Sequence, residues 1–158
     1  MAPPDDLFVM ADIYSRTKRS EIMAAVRSRG NKATEIALVQ VLRRHKLWGW
    51  RRHLSLAGKP DFVFPEKRVV VFVDGCFWHG CATHFKAPKS NRNFWVTKIR
   101  SNKVRDRSTT RRLKDLGWIV VRIWQHELKG KSTPALQKLA RALEASSKQQ
   151  RIRPKVER

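Results

Sequence analysis

The chain has little cysteine, little acid and a single tyrosine: 2 Cys and 13 Asp plus Glu in 158 residues. Two cysteines, Cys76 and Cys81, cannot build a disulfide framework. No apolar run approaches the roughly 20 residues that span a bilayer. The opening Met1-Ala2-Pro3-Pro4-Asp5-Asp6 lacks the basic start and apolar centre of a secretory signal. Together these absences set the expectation of a soluble, intracellular protein without membrane contact. The shortage of acid has the widest consequence, because 35 Lys and Arg leave a net charge of +22. Such self-repulsion disfavours a compact state and implies a polyanionic partner. Six Trp and seven Phe turn that expectation from a membrane surface toward nucleic acid, since aromatic faces stack on or wedge between bases. A hydrophobic share of 41% supports one core and excludes wholesale disorder, and the length fits one domain.

Hydrophobic periodicity organises the chain into helix, helix, three strands, helix, strand, helix. Residues 1–13 read as a flexible arm. A helix is predicted over Thr17–Ser28 from Ile22, Met23 and Val26, and a second over Thr34–His45 from Leu38, Val41 and Leu42, with Thr34 as its cap. Strands are predicted at Trp50–Leu54, Asp61–Phe64 and Val69–Val73. The last is apolar on both faces and belongs in the centre of a sheet. A long helix follows over Arg92–Leu116, stopped by Gly117. A strand over Trp118–Trp124 and a closing helix over Pro134–Ala145 complete the domain, 14–145, and 146–158 reads as a basic, disordered tail. Three strands in a meander and then a helical crossover predict an α/β fold: a mixed sheet flanked by helices.

Several residues carry chemistry. Asp61, at the mouth of an apolar strand, reads either as a turn aspartate at the Pro60 bend or as a ligand for Mg²⁺ bridging to phosphate. Asp74 and the Val73 carbonyl emerge at the end of the next strand, within reach of Asp61 if the register allows. Paired acidic strands in such a sheet are similar to the restriction-endonuclease architecture. Cys76 stands where a lysine is usual there, which makes His79 the nearest group to handle an attacking water. Both cysteines, His79 and His84 fall within nine residues, in a loop with little apolar content. Cys76, Cys81, His84 and His126 therefore form a candidate structural Zn²⁺ site, with His79 as the alternative fourth ligand. Two half-buried reduced cysteines are the plainer reading. Phe77 and Trp78 sit in the same polar loop. Trp95, Lys98 and Asn102 share one face of the following helix, placed to stack on and read bases, with Phe94 and Ile99 assigned to the core.

The runs Gly58-Lys59-Pro60-Asp61-Phe62-Val63, Val71-Phe72-Val73-Asp74-Gly75-Cys76-Phe77-Trp78-His79, Phe94-Trp95-x2-Lys98-Ile99-x2-Asn102-x3-Asp106 and Gly117-Trp118-x5-Trp124 resemble the very short patch repair (Vsr) DNA mismatch endonuclease family. Thr17-x-Arg19-Ser20-x2-Met23 and Thr34-Glu35 also fit, so the resemblance covers Asp12 to Gly130. It implies a restriction-endonuclease-like single domain with a structural zinc. The implied activity is a Mg²⁺-dependent nick 5′ to the T of a T·G mismatch left by deamination of 5-methylcytosine. It further implies Asp61 and the Val73 carbonyl as Mg²⁺ ligands, His79 as the group that activates water, and Glu35 as a carboxylate near that histidine. Phe77, Trp78, Trp95 and Met23 resemble the wedge that enters the duplex, and Lys98 and Asn102 match residues near the mismatched bases. The resemblance also implies a bacterial, cytoplasmic, nucleoid-associated monomer linked in function to a cytosine-5 DNA methyltransferase.

The chain departs from the family pattern at Asp74, where the best-known member has a histidine. A carboxylate there cannot act as an imidazolium steadying a phosphate but is open to a role as a second metal ligand, which would bring the site closer to a two-carboxylate nuclease. Two other function classes are open on sequence alone: a restriction or homing-type nuclease of the same fold, and a non-catalytic, zinc-stapled DNA-binding module. Acids facing phosphate count against the module, because a pure binder gains nothing from them.

Overall fold

The computed structural model describes residues 17, 32–130 and 134–152. The 1–13 arm and the predicted helix that carries Met23 lie outside the described residues, Thr17 excepted.

Four strands form one mixed sheet in the order β1 (Arg51–Arg52), β2 (Phe62–Phe64), β3 (Val69–Asp74), β4 (Ile119–Trp124). The β1–β2 and β2–β3 pairs are antiparallel, and β3–β4 is parallel, as the meander-then-crossover order predicts. Helix α1 (Ala37–Arg44) follows a π-helical turn at Lys32–Ile36. Helix α2 (Arg92–Asp115) makes the crossover from β3 to β4, and α3 (Pro134–Ile152) closes the described chain.

Alternation along β3 assigns the two faces. Val69, Val71 and Val73 join Leu38, Val41 and Leu42 of α1 and Leu139 of α3 in the larger core. Val70 and Phe72 face the other way, onto Val63 and Leu113 of α2. All six residues of β3 are buried, which explains its unbroken apolar sequence. Its polar end, Asp74, is therefore delivered to the interior at the same edge as the C-terminal end of β4, with Asp74 opposite Trp124.

Four local expectations differ. The predicted strand at Trp50–Leu54 shrinks to Arg51–Arg52 because His53 adopts φ +57°, outside the extended region. Thr34 lies inside the π-helical turn and does not cap the helix that follows it. Phe94, assigned to the core, is 61% exposed: the first turn of α2 packs through Trp95 on the loop after β3, not on the sheet. Finally, α3 continues past Ala145 to Ile152. The Ser146 hydroxyl donates to the Lys67 carbonyl, Lys67 Nζ donates to Ser147 Oγ at 3.1 Å, and the Gln150 amide donates to the Glu66 carbonyl. These bonds dock the added turns on the β2–β3 turn without apolar periodicity. Among the described residues, no helix is long and apolar enough to cross a membrane.

Candidate active site and metal centre

The sheet gathers carboxylates at one edge. Asp61 falls just before β2, and because Phe62 pairs with Val71, its side chain reaches the end of β3. Its Oδ2 accepts the Val73 N–H at 2.7 Å. Burial pushes the Asp61 carboxyl up to about 6 against an ordinary 3.8; the Val73 bond opposes this, while the charges of Glu35 and Asp74 add to it. Glu35 is brought in from the π-helical turn and is buried, with the Arg52 guanidinium bonded to it and His53 Nε2 at 3.8 Å. Three acids thus converge in a chain with few, and Asp61, the one with no hydrogen-bonded cation among the described residues, has an elevated carboxyl. That environment fits a divalent cation, whose charge would offset the acids.

Asp74 meets a protein cation instead. Its Oδ2 accepts from Arg122 Nε at 2.7 Å and its Oδ1 from Arg122 Nη2 at 2.6 Å. Parallel pairing sets Phe72 opposite Arg122, so Arg122 and Asp74 project from the same face. With both oxygens engaged by Arg122, Asp74 is occupied as an ion-pair partner, which leaves it poorly placed for the second-ligand role open on sequence.

His79 Nδ1 lies 2.7 Å from Asp106 Oδ2 and 3.5 Å from Asp74 Oδ1. Facing a carboxylate, Nδ1 carries the proton, which leaves Nε2 as the basic nitrogen. Burial works to raise the Asp106 carboxyl, but the bond to His79 and the charge of Arg122 outweigh it and hold the group below its ordinary value. An ionised Asp106 is the partner that fixes a histidine's orientation.

On the other side of Gly75 lies a second cluster. The ligand atoms of Cys76, Cys81, His84 and His126 all fall within 4.8 Å of one another. Cys76 Sγ is 3.2 Å from His126 Nδ1, and Cys81 Sγ is 3.7 Å from both His84 Nδ1 and His126 Nδ1. A tetrahedral ion with bonds of about 2.3 Å to sulfur and 2.0 Å to nitrogen sets its donors about 3.3–3.8 Å apart. The donors present therefore fit one metal ion of the zinc type. His79 is turned away to Asp106, which leaves His126 as the fourth member. Burial also pushes the Cys76 thiol up, so the thiolate needs a cation to form readily.

The loop that carries these residues is pressed onto α2. Gly80, at φ +63°, sits where a Cβ would come within 2.5 Å of Ile99 Cγ2 and 2.6 Å of Lys103 Cε. Phe77 stacks edge-on with Trp78 and Trp95, at 5.2 Å in each case, and Trp95 touches the exposed Phe94. Phe85 joins Phe77 at 5.7 Å. Phe77, Trp78 and Trp95 are half-buried and Lys98 is exposed. Asn102 is buried: its Nδ2 donates to the Trp78 carbonyl at 2.8 Å and its Oδ1 accepts from Arg105 at 3.0 Å. It secures the aromatic loop, where the sequence reading had it reading base edges.

Sequence reasoning assigned no role to Arg52, Asp106 or Arg122. Each had a signal: Arg122 is the lone charge inside an otherwise apolar strand, and Asp106 lies one helical turn beyond Asn102. Arg52 had the weakest, one of two adjacent arginines in a strand of two residues.

The pattern of the family described as DNA mismatch endonuclease Vsr matches residues 11–84. The DNA mismatch endonuclease Vsr of Escherichia coli (strain K12) is 38% identical over 136 residues, covering 85% of this chain and 86% of that protein. Type II nicking enzyme V.NmeDIP of Neisseria meningitidis serogroup C is 38% identical over 134 residues, with coverage of 84% and 90%. Type II nicking enzyme V.XorIIP of Xanthomonas oryzae pv. oryzae is 41% identical over 123 residues, with coverage of 75% and 88%. Similarity over so much of both chains includes the strands that bring Asp61, Asp74 and His79 together, and the chain belongs to the Vsr family of DNA mismatch endonucleases.

Proposed function

We propose that this DNA endonuclease is a Mg²⁺-dependent nicking enzyme that recognises T·G mismatches and cuts 5′ to the mispaired T, on a restriction-endonuclease-like fold stapled by Zn²⁺. The observation that carries the reading is the elevated Asp61 carboxyl, hydrogen-bonded to the last residues of β3 beside Glu35 and the His79–Asp106 pair.

Asp61 and the Val73 backbone carbonyl would hold Mg²⁺, and Glu35 faces the same position. Bound there, the ion would supply Lewis-acid stabilisation of charge on the phosphoryl oxygens. The chain's own residues do the rest. Asp106 orients His79 through Nδ1, and Nε2 takes the proton of the attacking water. Cys76, Cys81, His84 and His126 would hold Zn²⁺, which would order a loop with little apolar content of its own. That loop presents Phe77 and Trp78 beside Trp95, a wedge suited to open a mispaired step more easily than a matched one. Met23 belongs to the same reading from outside the described residues. Lys98 would lie near the mismatched bases, and Asn102 would act by holding Trp78. The basic surface supplies the sequence-independent grip on phosphate. Such an enzyme would act as a monomer on nucleoid DNA in the bacterial cytoplasm, following a cytosine-5 DNA methyltransferase.

The test is cleavage of labelled duplexes carrying T·G, T·A and other mismatches, with and without Mg²⁺. The expected product is one nick, on the T strand of the T·G duplex, only with the metal. Equal nicking of T·A would remove the mismatch assignment, and nicking without a divalent ion would remove the metal.

A further inference from the structure

The guanidinium of Arg122 is held more firmly than a surface arginine needs. Besides the two bonds to Asp74, its Nη2 lies 3.1 Å from Asp106 Oδ1, and its carbon sits 4.9 Å over the Phe72 ring. Burial works against its charge, yet Asp74 and Asp106 hold the group above its ordinary value, so it stays a cation. As mere packing this is a poor choice, because buried ion pairs seldom stabilise more than apolar side chains of like volume. The neighbouring strand positions are apolar. Nε and Nη2 hold the carboxylates, and Nη1 lies outside those contacts.

Arg122 also lines an open groove of about 470 Å³ between β4 and α2, with Arg107, Thr110, Arg111, Lys114 and Asp115. Paired with two carboxylates, Arg122 alone would carry no surplus charge. Arg107, Arg111 and Lys114 outnumber the one further acid, Asp115, so the groove side keeps a positive surplus. The groove reaches Asp106, and through it His79, the group proposed to activate water.

We propose that Arg122 contacts the substrate: through its edge toward this groove it binds a non-bridging phosphate oxygen of the strand being cut, at or next to the scissile bond, with Asp74 and Asp106 as its positioning residues. The inference rests on the nuclease reading above and adds a phosphate ligand to it. Guanidinium suits the task because its planar fork can serve a carboxylate and a phosphate at once. Asp74 then acts through Arg122 and not on a metal.

The test is a binding cycle with the full-length protein and T·G duplexes, without added Mg²⁺, read by fluorescence anisotropy. Methylphosphonate replaces, one at a time, the scissile phosphate and each of its two neighbours. At one of the three positions the wild-type protein should lose about tenfold to a hundredfold in affinity, the worth of one charged hydrogen bond. Arg122→Ala should lose as much on the unmodified duplex, lose nothing more at that position, and show a salt slope lower by about one. Losses that multiply at all three positions, with the salt slope unchanged, would overturn the proposal. If Arg122→Ala does not fold because two carboxylates are left unpaired, the double variant Arg122→Gln with Asp74→Asn removes the charge evenly and carries the same expectation. A wild-type protein that binds with this coupling but nicks no duplex would remove the nuclease reading and leave the phosphate contact standing. Intact nicking without the coupling would remove only the contact.

Discussion

The two clusters on either side of Gly75 share one strand end and use opposite chemistry. The Cys76–Cys81–His84–His126 group has soft donors that face one another at the mutual spacing of a tetrahedral shell. The Asp61–Glu35–Asp74 group has hard oxygen donors, and most of these are tied to protein: Glu35 to Arg52, Asp74 to Arg122. Asp61 is the exception, with an amide partner and an elevated carboxyl. The four Cys and His donors would suffice for a tetrahedral ion with protein alone, as a structural site requires. The acidic group is short of ligands, which leaves room for water and phosphate. On the proposed reading, the difference separates a site that holds the loop from one that works on a substrate.

Breaking the incomplete site should have the largest effect. Asp61→Asn is expected to abolish nicking in single-turnover assays while DNA binding survives or tightens, since a negative charge facing phosphate has gone. His79→Ala should cost about 10²–10⁴-fold in rate and leave the Mg²⁺ dependence in place, as loss of a general base does. Full nicking by the Asp61 variant would mean that the carboxylate edge is not the working site.

Breaking the complete site should act on order before chemistry. Wild-type protein is expected to carry about one zinc per chain, and Cys81→Ala to lose that ion together with thermal stability. Metal analysis and melting curves check both. A fully folded wild-type protein without metal would erase the contrast between the clusters.

The same contrast explains what was legible in the sequence. The Cys76–His84 spacing and the apolar run of β3 are local, so both the metal-type cluster and the central strand could be read directly. The order of strands then implied the mixed sheet. What could not be read depends on pairs distant in the chain. Arg122 meets Asp74 only because parallel register sets Phe72 opposite Arg122. Asn102 is buried because the Trp78 carbonyl comes to it, a contact between segments 24 residues apart. Ser146 and Gln150 extend α3 through bonds to the β2–β3 turn, where periodicity carries no signal. Phe94 shows the reverse error: an apolar residue on a helix whose first turn has no sheet beneath it.

Titration sharpens the comparison further. With the Asp61 carboxyl raised to about 6, a proton competes with the cation below that pH. The Mg²⁺ concentration for half-maximal nicking should rise about tenfold for each unit of acidification below it, and stay flat above. The sign for stability runs the other way. A folded value above the unfolded 3.8 means the native state binds the proton first, so for protein without Mg²⁺ this group's contribution to stability should grow as pH falls from about 6 toward 3.8. Mg²⁺ titrations of the wild-type protein and melts on both sides of that value test the pair of trends, and the Asp61→Asn protein, which is not expected to nick, should lack the melting trend.

The smallest expected effect concerns the rings that the loop presents. Trp95→Ala and Phe77→Ala each remove an edge-on contact at 5.2 Å and a face available to a base. Such a contact is worth about 0.5–1.5 kcal/mol, so discrimination between T·G and T·A duplexes should fall about two- to tenfold. Overall affinity should change less, because phosphate contacts from the basic surface carry it. Asn102→Ala should produce a similar loss without touching DNA, since the Trp78 carbonyl then lacks its donor and the aromatic loop loosens. Equal losses on both duplexes for the ring variants would identify Phe77 and Trp95 as packing for the metal-bearing loop, and would move the reading of the mismatch to Met23 or to Lys98.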